Sequence, residues 1–198
     1  MKLYTFALLA FALRCAAQTP PPTGVAIFME FDNQPSARAL TRMQEETGSL
    51  LAPAGVIASF HALPLRTPLT RSHANVMLIR FKGACDIGGV EAQPDDMAPF
   101  GPPTLRLAAT RTRGSAVLPF AEVECDAIRL IANSVPVRDR AQAMGQALGR
   151  VVAHELYHLL WQRQHHADEG LAKAVLSWKE LLNATFDLES LSAKAAAP

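Results

Sequence analysis

Apolar positions in this chain fall into two spacings, near-continuous runs and a three-to-four repeat, and each change of spacing marks a change of element. Val25-Ala26-Ile27-Phe28-Met29 is almost unbroken and predicts a mostly buried strand over residues 24–31, ended by Asp32-Asn33-Gln34-Pro35. Ser36 is a good N-cap, and Ala39, Leu40, Met43 and Leu50 then recur on one face of a helix running to about Leu51. Pro53-Ala54-Gly55 stops that helix, and strands follow over residues 56–60 and 75–82. After a long loop with Gly88-Gly89, Pro94, Pro99 and Gly101-Pro102-Pro103, the runs 105–111 and 116–123 flank Arg113-Gly114 as a hairpin. Pro119 suits an edge strand of that hairpin. Residues 127–132 fit a strand and a short helix equally. Ser134-Val135-Pro136 opens a long helix whose apolar positions Ala141, Met144, Leu148, Val151, Val152 and Leu159 keep the helical repeat. Residues 171–176 again fit either element, and Ser177 caps a short helix to about Leu182.

This order of elements predicts an α+β fold. Lys2 ahead of an apolar run from Leu3 to Leu13, with small residues at Cys15 and Ala17, predicts a secretory signal over residues 1–17. The run is too short to span a bilayer, so no stable membrane anchor is expected and the chain is expected to be secreted or periplasmic. Thr19-Pro20-Pro21-Pro22-Thr23 makes a Pro-rich spacer of residues 18–23, followed by one domain over 24–188 and a disordered tail over 189–198. Removing the signal leaves Cys85 and Cys125, an even pair that in an exported chain predicts one disulfide. A formal net charge of +1 shows no basic excess and argues against a nucleic-acid partner. The residues do not set the oligomeric state.

The chemistry lies in Val151-Val152-Ala153-His154-Glu155-Leu156-Tyr157-His158-Leu159-Leu160. His154 and His158 stand four apart, so on a helix one imidazole lies above the other on the same face. A tetrahedral zinc ion needs two nitrogens at about 2.0–2.1 Å, and one helical turn presents them on a rigid frame. Glu155 points about 100° away from His154, beside the metal and off it, as suits a general base. Apolar flanks bury the motif, and three ionisable groups are costly in a buried helix unless something uses them. Tyr157 reads as a core aromatic, Glu169 as a surface carboxylate, and His61 and His73 as ordinary loop or strand-end residues.

That ten-residue stretch resembles the active-site helix of the zincin metallopeptidases, with wording close to the thermolysin type. The order of elements is similar to the upper half of metzincin-type zincins, in which a twisted mixed sheet is backed by helices and an edge strand pairs with extended substrate. The resemblance implies a zinc-dependent endopeptidase acting on peptide or protein substrates through a metal-activated water, with His154 and His158 as ligands and Glu155 as general base. The chain departs from the metzincin pattern after His158. A Gly at 161 and a His at 164 would be required, and Trp161 and Gln164 stand there; no Met follows Met144, so the methionine turn is missing as well. A helix ending near Arg163 and a turn reversing over the metal would bring His166 to the open side as third ligand, with His165 as the alternative. A thermolysin-like scheme would instead take Glu180 from a later helix. Two other functions stay open: a secreted binding or structural module with a closed or vestigial zinc site, and zinc-dependent hydrolysis of a non-peptide amide.

Overall fold

The computed structural model describes residues 23–65, 75–87 and 106–183. The signal over 1–17, the proline-rich part of the spacer, His73, the Gly- and Pro-rich loop from Gly88 and the tail over 189–198 lie outside those residues. No described helix is long and apolar enough to cross a membrane.

The fold is mixed α and β, with one five-stranded sheet in the order β2-β1-β3-β5-β4. Strands β1 (Thr23–Asn33), β2 (Val56–Ala62), β3 (Asn75–Ala84) and β5 (Ala116–Glu124) run parallel, and β4 (Ala108–Arg113) lies antiparallel to β5 at one edge. Each predicted strand is found, extended or shifted by one to three residues. In β3 the period is two: Met77, Ile79 and Phe81 are buried while Val76 and Arg80 are exposed. The buried side of the sheet meets Met43 and Leu51 of α1 (Ala37–Leu51) and Met144, Leu148, Val152 and Leu156 of α3 (Arg140–Trp161) in one core.

Two expectations are corrected. Pro119 was expected on an edge strand, but β5 is an interior strand and β4 is the edge. The proline is tolerated because it stands where the β4 register shifts, between Thr110 and Thr112, and just before β5 begins to pair with β3 at Phe120. The long helix opens at Arg140 and not at Ser134, because Val137–Asp139 form a separate 3-10 turn behind Pro136. The ambiguous residues 127–132 belong to helix α2 (Cys125–Ala132), which buries Cys125, Ile128 and Ala132 at helical spacing and exposes Leu130. Cys85 and Cys125 form the expected disulfide, with a Cα–Cα distance of 4.9 Å, fastening the start of α2 to the chain just past β3.

Helix α3 is buried almost all round from Met144 to Leu159. Its polar side chains form a stripe at four-residue steps, Gln146, Arg150, His154 and His158, with two tasks. The first pair clamps the end of the domain. Buried Arg150 pairs with Glu46 of α1 at 2.7 Å and donates to the carbonyls of Glu180 and Asn183, while Gln146 donates to Asn183 O at 3.0 Å. Those carbonyls lie within and just past α4 (Trp178–Leu182), whose predicted cap is present as a reciprocal pair: Ser177 Oγ accepts from Glu180 N and Glu180 Oε2 from Ser177 N. Residues 171–176 form neither a strand nor an α-helix; a 3-10 turn at Gly170–Ala172 leads into irregular chain, and Gly170 takes φ 67 there. The second pair belongs to the site.

Candidate metal centre

His154, Glu155 and His158 are 8%, 3% and 7% exposed, so all three groups sit in the protein interior at the C-terminal half of α3. The helix ends at Trp161, two residues before the expected Arg163, and Gln162 turns the chain with φ 49. A left-handed backbone is unfavourable for a residue with a side chain. Here the Gln162 amide compensates by pairing with Val117 of β5 as a strand would, accepting from Val117 N at 3.2 Å and donating to Val117 O at 3.3 Å. Gln162 thus makes the reversal. The chain then folds back over α3, closed by Ala167 N donating to Ala172 O at 2.8 Å.

The reversal brings His166 to the two helical histidines. Its ring centroid lies 5.3 Å from that of His154 and 4.8 Å from that of His158, and one nitrogen from each of the three falls within 4.8 Å of the others. The tautomers of the buried pair follow from their partners. His154 Nδ1 stands 2.7 Å from Leu171 O and His158 Nδ1 stands 2.6 Å from Arg163 O. A carbonyl oxygen only accepts, so each Nδ1 carries the proton and each Nε2 is left with a lone pair. The two Nε2 atoms face each other at 3.1 Å. Two acceptors at that distance repel unless a cation or a proton lies between them. Burial lowers the His154 pKa to about 4, with Leu171 O opposing the shift and His158 adding to it, so a proton is a poor occupant at neutral pH. A tetrahedral zinc ion with bonds of about 2.0–2.1 Å would set its two nitrogens about 3.3 Å apart, close to the separation seen. The two helical donors match that spacing, and His166 brings a third nitrogen within 4.8 Å of them.

Glu155 stands beside this cluster, with its Oε2 accepting from Thr110 Oγ1 of the edge strand. Burial raises the carboxyl pKa, and the Thr110 hydroxyl and backbone work against that shift by favouring the charged form. Burial lowers the pKa of His166 as well, with His154 and His158 adding to the effect.

The other candidates fall elsewhere. His165 is exposed and outside the cluster. Glu180 is bound to its own helix cap and to Lys173 Nζ at 2.5 Å; burial opposes its charge, yet these hydrogen bonds hold the carboxyl below its ordinary range. Glu169 is exposed, Tyr157 packs on Trp161 with 5.5 Å between ring centroids, and His61, near the end of β2, lies against Phe28 and Ser59. Reasoning from sequence missed Thr110, Gln162 and the carbonyls of Leu171 and Arg163. No local signal marks a threonine in a strand as the partner of a glutamate 45 positions later, and a backbone carbonyl partner carries no residue identity.

Two clefts meet at the site. One, about 430 Å³, runs from Arg106, Leu107 and Ala108 across His154 and Glu155 to Leu176 and Trp178. The other, about 320 Å³, runs along Thr110 and Thr112 past His154, Glu155, His158 and His166 to Arg163 and Gln164. No protein-family model matches the chain, and no curated protein and no solved structure matches it.

Proposed function

We propose that this chain is an exported zinc-dependent metalloendopeptidase with a zincin-like fold, cleaving peptide or protein substrates. The observation that carries the reading is the convergence of His154, His158 and His166, with the Glu155 carboxylate beside them and the edge strand alongside. His154, His158 and His166 would hold the ion, and the carbonyls of Leu171 and Arg163 fix the first two in the ligating tautomer. Zinc in that position supplies Lewis acidity, polarising a scissile carbonyl and making water nucleophilic at neutral pH. Among the described residues nothing pairs with the outer side of edge strand β4, where an extended peptide would hydrogen-bond. Glu155, held by Thr110, takes a proton from the attacking water and returns it to the leaving amine as the C–N bond breaks.

A closed structural site would require four protein ligands, whereas the cluster among the described residues has three and His165 stays outside it. That favours the enzyme over a binding module with a closed site. The test is Glu155→Gln. The variant should keep its fold and its zinc while hydrolysis of an unstructured peptide library falls roughly 10²–10⁴-fold, the usual worth of a positioned general base. Undiminished hydrolysis by the variant would refute the assignment of the base.

A further inference from the structure

The chain passes the metal site at Leu171 and meets the same helix again at Glu180, so both ends of that excursion stand on α3. Leu171 O accepts from His154 Nδ1 at 2.7 Å, and Glu180 O accepts from Arg150. The two donors are four residues apart, so they face the same way with about 5–6 Å between their Cβ atoms. The excursion is therefore a compact loop with its two feet one helical turn apart. Between the feet, residues 173–178 form one side of the cleft of about 430 Å³ that His154 and Glu155 also line.

The far foot rests on a buried polar ring. Arg150, 1% exposed, donates from Nε to Glu46 at 2.7 Å and from Nη2 to Asn183 O at 2.8 Å, besides its bond to Glu180 O. Glu46 is held in turn by Arg42 at 2.6 Å, and Arg42 reaches Gln146 Oε1 at 3.2 Å. Gln146 donates to Asn183 O at 3.0 Å, which closes the ring through α1, α3 and the chain after α4. A buried ion pair is a poor device for stability alone, since apolar residues of similar volume often serve as well or better. What apolar residues cannot do is hold two carbonyls in fixed directions, as the planar guanidinium fork does. The loop also transmits the hold. Lys173 Nζ meets Glu180 Oε1 at 2.5 Å across its neck, so the position of Glu180 reaches Lys173, two residues from the carbonyl on His154.

Resting on the metal reading, we propose that Arg150, oriented by Glu46, is a positioning residue of the metal site: it fastens the loop of residues 171–183 to α3 and so sets Leu171 O on His154 Nδ1. The test is Arg150→Lys, which keeps a cation opposite Glu46 but cannot span two carbonyls. Zinc affinity is read by chelator competition, and amide exchange is read by mass spectrometry on the metal-free protein. The variant should exchange about 10-fold faster over residues 171–183 while β1 and β3 keep their protection, the factor that loss of a hydrogen bond to a charged group produces. Its zinc affinity should fall about 10-fold, the lower end of what losing an outer partner of a metal ligand costs. Gln146→Leu removes the bonds to Leu181 O and Asn183 O and leaves the Glu46 pair intact, so it should act in the same direction by roughly 2–10-fold. It carries the test if Arg150→Lys does not fold. Unchanged zinc affinity in a variant whose loop exchanges faster overturns the inference and leaves the metal reading standing, as does loop exchange that neither variant alters. Exchange that quickens equally in every element, with zinc affinity falling in step, marks a loss of global stability and overturns the inference as well. A parent chain that takes up no zinc overturns both.

Discussion

Replacing Gly149 by alanine tests whether the contact between α1 and α3 is as close as the fold requires. A Cβ built on Gly149 would lie 2.6 Å from Glu46 Cβ and 2.8 Å from Met43 O, both on α1, and the backbone oxygen cannot swing aside. A Cβ built on Gly145, one turn earlier, would lie 2.4 Å from Ala39 O, so the two helices touch along a glycine seam. Overpacking of this kind costs about 1–3 kcal/mol, while alanine recovers about 0.8–1.0 kcal/mol of helix propensity. The larger effect comes through Glu46, because displacing it loosens the buried pair with Arg150, and breaking such a pair costs about 3–5 kcal/mol. With partial relaxation the net loss should be about 2–4 kcal/mol. Gly48 supplies the control on α1 away from that contact: it is helical, nothing lies within 4 Å of its would-be Cβ, and Gly48→Ala should gain up to about 1 kcal/mol. The assay is urea unfolding followed by circular dichroism, with the slope unchanged between variants so that the midpoint reports stability. A Gly149→Ala chain as stable as the parent would refute the packing argument.

The cluster makes a prediction about ligands, and Thr110 makes one about catalysis. His166→Ala should weaken zinc binding by more than the roughly 10–100-fold that loss of an outer hydrogen-bond partner produces, whereas His165→Ala and Glu180→Ala should scarcely change it in a chelator competition. Equal losses at 165 and 166 would contradict the turn geometry. Thr110→Val should lower kcat roughly 10–100-fold at nearly constant KM, since a hydrogen bond to a charged group is worth about 1.5–3 kcal/mol, and Thr110→Ser should restore most of it. A change in KM alone would mean that Thr110 serves substrate binding instead.

What was legible in the sequence is what short-range physics determines. Ser36 and Ser177 were readable as caps because a cap is satisfied within three residues. His154 and His158 were readable because one helical turn sets their relation. Residues 127–132 stayed ambiguous because six mostly apolar residues fit both periods; the disulfide at Cys125 and the burial of Ile128 and Ala132 decide it from outside. Pro119 was misassigned because which strand forms the edge depends on pairing with β3, not on the hairpin itself. His166 and His165 are neighbours that only the reversal at Gln162 separates, and that reversal depends on Val117, 45 residues away. Thr110 was invisible for the same reason.

The central claim is a zinc ion held by His154, His158 and His166, and metal content tests it most directly. Protein purified without chelator should contain about one zinc per molecule by elemental analysis, and chelation should remove it. His154→Ala should carry none, and bound zinc should raise the unfolding midpoint of the parent alone, because a ligand that binds only the folded state stabilises it. A parent chain with no zinc as purified and none after equilibration with zinc salt would contradict the account.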